Sequence, residues 1–290
     1  MDRLVEIAVE LKRGADRPAL DAALQALTAN DPSLVTFTDP ESGQTIIAGP
    51  SEEHIDRAIE TLRRDCAFNV GPPQVAYRET LGQAALIDYT HKRQIGAGGQ
   101  FARVVLRFEP LDPGAGFRFE YATDAVPAPL AAGVLKGVAA AGANGLLAGF
   151  PVIDFKASLI DGGYHDLDST EQTFEIAARA AFRELRTKGA PILLEPIMRV
   201  EVLTPDDYMG DVIGDLNSRR GQIQGSETRG TSQLVTAMVP LSNMFGYPSQ
   251  LQLITHGAGR CEMRYDHYEA VPRPFEPPNG TFPPAVGMRA

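Results

Sequence analysis

Val5-Glu-Ile-Ala-Val-Glu-Leu11 alternates apolar and polar positions, the period of a half-buried strand. A helix is predicted next, with Asp16 as its N-cap, Pro18 in its first turn, and Leu20, Ala23, Leu24 and Leu27 at helical spacing. Leu34 to Thr38 and Gln44 to Ala48 read as strands of a hairpin turned by Asp39-Pro-Glu-Ser-Gly43. A second helix begins near Ser51. Glu52 and Glu53 sit at the positive end of its dipole, and Ile55, Ala58, Ile59, Leu62 and Cys66 form its apolar face. Phe68 to Ala76 closes the module as a strand, so residues 1–76 have the order βαββαβ.

A similar order recurs at 196–272. Pro196 to Leu203 predicts a strand, and Thr204-Pro-Asp-Asp207 supplies a cap, a first-turn proline and two acids for a helix carrying Met209, Val212, Ile213 and Leu216. Arg219 and Arg220 suit that helix's carboxy terminus, and Gly221 the position just past it. Gln222 to Glu227, Gln233 to Val239 and Cys261 to Tyr268 read as strands, with a helix around Met244 to Ile254. Two split βαβ modules therefore bracket the chain.

Residues 77–195 differ. Ala84 to Thr90 and Phe101 to Phe108 flank the glycine-rich Gly96-Ala-Gly-Gly99, and Ala128 to Ala143 predicts a helix weakened by Gly133, Gly137 and Gly142. After Asp168, residues Phe174, Ala177, Ala178, Ala181, Phe182 and Leu185 define one apolar helix face. Ser169 and Gln172 match a capping box, and Gly189 marks the end. Pro274, Pro277, Pro278, Pro283 and Pro284 give 273–290 the composition of an extended tail.

At 290 residues, 43% apolar and 22% charged, the chain is long enough for two or three cores. Two distant cysteines, Cys66 and Cys261, signal neither a disulfide framework nor a zinc site and suit a reducing cytosol. No apolar run is long enough to span a bilayer and no signal peptide opens the chain, so the expectation is a cytoplasmic protein without membrane partners. The net charge of -10 excludes an overall basic nucleic-acid surface and leaves only local RNA contact.

Three candidate chemistries remain. Tyr164-His165-Asp166 with Asp168 suits a metal or a general base, or else the acids simply complement the next helix's amino terminus; no second ligand cluster supports a metal. The glycine-rich loop suits a phosphate, as in small-molecule kinases, but no GxxxxGK[ST] string occurs. His54 reads as a packing residue or a contact, and Arg219 and Arg220 as helix caps or phosphate contacts.

Ordered runs narrow the choice: Asp39-Pro-Glu-Ser-Gly-Gln-Thr-Ile-Ile-Ala-Gly49, Val70-Gly-Pro-Pro-Gln-Val-Ala-Tyr-Arg-Glu-Thr80, His91-Lys-Arg-Gln94, Leu147-Ala-Gly-Phe-Pro-Val152, Tyr164-His-Asp-Leu-Asp-Ser169, Leu194-Glu-Pro-Ile-Met-Arg-Val-Glu-Val202, and Gly210-Asp-Val-Ile-Gly-Asp-Leu-Asn-Ser-Arg-Arg-Gly221. In this order the chain resembles the carboxy-terminal half of elongation factor G. The resemblance implies an α+β chain of three domains: ferredoxin-like domain III over 1–76, ribosomal-protein S5 domain 2-like domain IV over 77–195, and ferredoxin-like domain V over 196–272. It further implies a monomeric, ribosome-binding role in moving tRNA and mRNA, driven by GTP and Mg in a GTPase domain missing from this chain, which would itself hold no cofactor or metal and be no enzyme. Contacts to rRNA, tRNA and mRNA would come from tip residues His91, Lys92, Arg93, Gln94, Gly98, Gly99, Gln100, Gly162, Gly163, Tyr164, His165 and Asp166. The large-subunit factor-binding site would meet Ser218, Arg219 and Arg220, and Glu52 and His54 would face the GTPase domain. Ser51-Glu-Glu-His-Ile55, with Glu53 where the family carries Leu, departs from its pattern, as do Ile95 and Ala97 in the first tip loop. The competing readings are a free-standing interaction module and a kinase-like enzyme of related fold.

Overall fold

Ser51, extended and followed by Glu52 and Glu53, starts a helix as its pattern predicts: its hydroxyl accepts from the His54 N–H at 3.3 Å. The structure containing it is a computed structural model that describes residues 3–12, 17–38, 44–64, 66–95 and 98–272, with backbone alone at 95 and 98. The Asp16 cap, the Asp39–Gly43 turn, residues 96–97 of the glycine-rich loop and the proline-rich tail from 273 lie outside the described residues. Two compact units result, one from Met1–Ala76 with Glu195–Glu269, the other centred on Tyr77–Leu194.

The first unit opens with β1 (Val5–Leu11), α1 (Arg17–Asn30), β2 (Val35–Thr38), β3 (Thr45–Gly49), α2 (Glu52–Leu62), β4 (Phe68–Val70) and β5 (Gln74–Val75). The sheet order is β2-β3-β1-β4, with Val5 opposite Gly49 and Val9 opposite Thr45. Alternation on β1 buries Val5, Ile7 and Val9, as helical spacing buries Leu20 and Leu24 of α1 and Ile55, Ile59 and Leu62 of α2. The predicted closing strand divides in two because Pro72 and Pro73 have no N–H to give to a ladder.

The second unit contains β6 (Arg78–Thr80), β7 (Ala85–Ile95), β8 (Gly98–Pro110), β9 (Phe117–Tyr121), α3 (Ala128–Ala143), β10 (Phe155–Gly163), α4 (Glu171–Arg183) and α5 (Leu185–Lys188). Its main sheet runs β7-β8-β10-β9, antiparallel except for the parallel β10–β9 pair. Val104, Leu106, Phe108, Ala157 and Leu159 pack beneath Val134, Val138, Phe174, Ala178 and Phe182 of the helices. Neither β9 nor β10 was expected, since Ala157 and Ser158 give little contrast to the alternation of β10.

Three sequence readings change here. The cap of α4 is Thr170, whose hydroxyl accepts from the Thr173 N–H at 3.1 Å; Ser169 is used elsewhere. The helix breaks at Glu184, and Gly189 caps the short α5. The glycines of α3 are contacts rather than weaknesses: a Cβ on Gly133 would lie 2.1 Å from the Glu171 carbonyl oxygen, and one on Gly137 2.4 Å from that of Glu175. Helix α3 thus meets α4 backbone to backbone.

A second internal feature is Glu79 on β6, fully buried, whose carboxylate accepts four backbone N–H groups, from Leu146, Leu147, Ala148 and Phe150, at 2.5–3.2 Å. A buried carboxylate is tolerable only with such saturation. One side chain therefore organises the loop between α3 and β10.

The remaining elements are β11 (Ile192–Pro205), α6 (Met209–Ser218), β12 (Gln222–Arg229), β13 (Ser232–Pro240), α7 (Tyr247–Ile254) and β14 (Arg260–Ala270), in the order β12-β13-β11-β14. This repeats the arrangement of the first module, as its pattern predicts. Strand β11 continues through Pro205, so the expected cap at Thr204 is replaced by a 3-10 turn at Asp206–Tyr208. Helix α7 starts only at Tyr247, after Gly246 adopts φ 68°.

Gly137→Ala tests the helix contact. The added methyl gains about 1 kcal/mol of helix propensity, but overpacking costs roughly 1–3 kcal/mol, and with backbone oxygen as the obstacle the cost prevails. Urea unfolding should show a net loss of stability; a stabilised variant would contradict the contact.

Candidate nucleic-acid interface

Strands β7 and β8 pair from Ala85 opposite Phe108 out to Ile95 opposite Gly98, so the predicted loop residues His91 to Gln94 are strand residues of a long hairpin. His91 is half buried, with Nε2 3.2 Å from Gln100 Oε1, so one of its ring nitrogens is committed within the hairpin. Lys92, Arg93 and Gln94 are exposed, and among the described residues neither Lys92 nor Arg93 has a carboxylate partner.

The other group of tip residues, Gly162 to Asp166, stands on a segment that comes to the same hairpin. Its opening residues, Asp161 to Gly163, still belong to β10 and pair with Val105, Val104 and Arg103 of β8. Gly162 is a glycine for an internal reason, since a Cβ there would lie 2.4 Å from Val126 Cγ2 and 2.8 Å from the Arg103 carbonyl oxygen. Gly163 has ordinary space around it, its nearest neighbour being Arg103 Cβ at 3.7 Å.

Beyond Gly163, Tyr164, His165, Asp166 and Leu167 are exposed, Leu167 to 87%. The turn is closed by the Asp168 and Ser169 N–H groups donating to the His165 carbonyl at 3.2 and 3.0 Å, and by the Leu167 N–H donating to His165 Nδ1 at 3.4 Å. It is tied to the hairpin as well. The Gly99 N–H donates to Asp168 Oδ1 at 3.1 Å, the Phe101 N–H to the Asp168 carbonyl at 3.0 Å, and Ser169 Oγ donates to the Phe101 carbonyl at 2.6 Å. The sequence offers Asp168 as a metal or general-base residue or a charge at the helix terminus, and Ser169 as a cap, but gives no sign of this role, because the partners lie some 70 positions away.

On the open face of the sheet, Arg103 bridges Asp88 (2.6 Å) and Asp161 (3.0 Å). Its hydrogen bond holds the Asp88 carboxyl below the ordinary 3.8, and both carboxylates in turn raise the guanidinium. Arg103 is thus neutralised locally, whereas Lys92 and Arg93 have no carboxylate partner among the described residues. No group of three or more His, Cys, Asp or Glu suited to a metal occurs among the described residues.

The arginines after α6 are deployed internally. Arg219 donates to Asp215 Oδ2 (2.8 Å) and to the Asn243 carbonyl (2.7 Å), lies 5.0 Å from the Tyr247 ring centroid, and keeps 20% of its side chain exposed. Arg220, not Gly221, takes the left-handed position, with φ 65°. The Arg220 N–H donates to the Asn217 carbonyl and the Gly221 N–H to that of Leu216, which completes a Schellman ending. Gly221 is small because a Cβ would meet the Leu216 oxygen at 2.6 Å. The strained Arg220 holds Glu195, only 2% exposed, through contacts of 3.2 and 2.6 Å, and Ser218 Oγ donates to the Asp215 carbonyl.

In the first module, Glu52 accepts the Gly246 N–H at 3.1 Å, a partner within the same unit that no sequence signal announced. His54 Nε2 lies 3.7 Å from Asp31, whose carboxyl is lowered chiefly by its Ser33 hydrogen bonds. A cavity of about 340 Å³ between α1 and α2 is lined by Leu27, Leu34, Ala58 and Leu62 beside these polar groups. Both residues thus have internal partners.

Known proteins place these features in one family. Residues 2–72 match the family model "Elongation Factor G, domain III", 73–190 "Elongation factor G, domain IV", and 192–276 "Elongation factor G C-terminus". An elongation factor G of Hyphomonas neptunium is 58% identical over 274 residues, covering 93% of this chain and 39% of that protein. A crystal structure from Thermus thermophilus superposes with a TM-score of 0.74 at 36% identity, over 94% of this chain and 41% of that one. The chain spans about two fifths of the length of the relatives it matches.

Two outcomes follow from the ion pairs. Arg220→Ala leaves Glu195 buried without its cation and should cost about 1–3 kcal/mol in urea unfolding. A lowered Asp88 carboxyl stabilises the fold above its ordinary 3.8 and ceases to do so as pH falls through its folded value. Asp88→Asn should therefore cost more stability at pH 5 than at pH 3, and an equal cost at both would refute that linkage.

Proposed function

The chain belongs to the elongation factor G family, and from that premise we propose that it is the ribosome-engaging part of a translation factor that supports movement of tRNA and mRNA. Nucleotide hydrolysis would be supplied by a GTPase domain outside this sequence, which carries no GxxxxGK[ST] string of its own. The family profiles support a role in translation elongation.

The observation that carries the RNA reading is the meeting of two exposed segments at one end of the second unit. Lys92 and Arg93 on β7 bring cationic donors that have no carboxylate partner among the described residues, and Tyr164 and His165 bring exposed rings on a turn that is hydrogen-bonded to the adjoining strand β8. Such a combination suits folded RNA: cations contact phosphates without reading sequence, while rings stack on bases that are free of pairing. Because the chain carries a net charge of -10, attraction to RNA depends on local cationic surface such as this one.

The internal partners of Arg219 and Arg220 are the reason for placing the tip ahead of the end of α6 in this reading. Arg219 gives donors to Asp215 and Asn243 and Arg220 to Glu195, which helps hold the module's shape and leaves fewer donors for a phosphate. Glu52 and His54 are proposed as the face toward the GTPase domain only through the surface they leave exposed. No observation favours the kinase-like or interaction-module readings.

Cosedimentation with ribosomes at several salt concentrations tests the proposal. The chain should bind, with affinity falling as salt rises. Arg93→Ala should lower the salt slope by about one unit, as for one lost phosphate contact, and His165→Ala should weaken binding about threefold or more, the low end of a lost stacking interaction. Absence of binding in low salt, alone or joined to a GTPase domain, would sink the reading.

A further inference from the structure

We propose that Asp168 is a positioning residue that locks the 165–168 turn onto the β7–β8 hairpin and so presents His165 and Leu167 outward as one rigid unit. This rests on the RNA-contact reading of the tip, and extends it to a residue whose own side chain faces inward.

The geometry is specific on both sides. Asp168 Oδ1 accepts the Gly99 N–H at 3.1 Å, while its carbonyl accepts the Phe101 N–H at 3.0 Å, so one residue grips two successive outward amides of β8. Its second oxygen, Oδ2, lies 3.5 Å from His165 Nδ1. Ser169 completes the grip, donating to the Phe101 carbonyl at 2.6 Å and accepting the His165 N–H at 2.9 Å. Gly99 is the counterpart surface, because a Cβ there would stand 3.0 Å from Asp168 Oδ2 and 3.1 Å from Cγ. The glycine admits the carboxylate.

Consequences follow for the exposed residues. Leu167 is 87% exposed on a turn whose His165 and Asp168 are hydrogen-bonded back into the protein. A turn whose backbone is held this way loses little conformational freedom when Leu167 meets a flat apolar partner such as a nucleobase face. Preorganisation of this kind requires a support that does not itself touch the ligand.

A competing account makes Asp168 only a negative charge near the start of α4. The two differ in what asparagine does. Asparagine keeps an oxygen acceptor for Gly99 but removes the charge, whereas alanine removes both.

The test compares Asp168→Asn, Asp168→Ala and Ser169→Ala in the full chain, by amide hydrogen exchange and by ribosome affinity. In Asp168→Ala, the Gly99 amide should exchange at least about tenfold faster, with α4 amides changing less than about twofold, as for a local opening. Ribosome affinity should fall about three- to tenfold, as for a lost preorganised contact. Asp168→Asn should restore most of both, and Ser169→Ala should loosen the turn in the same direction. Equal behaviour of asparagine and alanine, or unchanged Gly99 exchange in alanine, would overturn the proposal. If the wild-type chain does not bind ribosomes, the RNA reading fails by itself, and Gly99 exchange still decides the grip. If Asp168→Ala does not fold, Gly99 exchange in Ser169→Ala and Asp168→Asn decides it.

Discussion

The close approach of α3 and α4 is the constraint on which the candidate interface depends. Gly133 and Gly137 let the two helix backbones touch at Glu171 and Glu175, near the start of α4. Phe174, Ala178 and Phe182 then set α4 on the sheet against Phe108 and Phe155, with ring centroids 5.7 and 5.6 Å from Phe182. Once the first turn of α4 is fixed, so are Thr170, Ser169 and Asp168 just before it. Their bonds to Gly99 and Phe101 carry that fixed position out to the hairpin. Packing in the core therefore determines where the exposed rings stand.

Buried and half-buried charge is handled by the same economy throughout the chain. Glu79 is met by four amides, Glu195 by Arg220, and Arg219 by Asp215 and a carbonyl. On the open face, Arg103 sits between two carboxylates, and Glu120 accepts from Ser158 and pairs with Lys156. These cations are already neutralised where they stand, whereas Lys92 and Arg93 have no carboxylate partner among the described residues. In an acidic chain such uncompensated cations are where phosphate attraction arises.

Arg220 illustrates how strain and partner choice combine. A non-glycine residue in the left-handed region costs roughly 1–2 kcal/mol, yet the position is occupied by an arginine rather than by the following glycine. The backbone turn aims its guanidinium at Glu195, and Gly221 is needed one step later, where the Leu216 oxygen leaves no room for a side chain.

Local pattern alone determined the two βαββαβ modules, the α3 limits, and the apolar face of α4, because period and turn chemistry are written in neighbouring residues. It also brought forward the tip residues His91 to Gln94 and Tyr164 to Asp166, through runs that resemble a family. What tertiary structure decided lies at long separation. Asp168 finding Gly99, Glu79 finding residues 146–150, and Gly137 finding Glu175 are pairings across tens of positions, and a sequence read locally shows only a carboxylate or a glycine. For the same reason Ser169 passed as a helix cap and the α3 glycines as weak points: each residue's type was visible, but its partner exists only once the sheet and the two helices have packed.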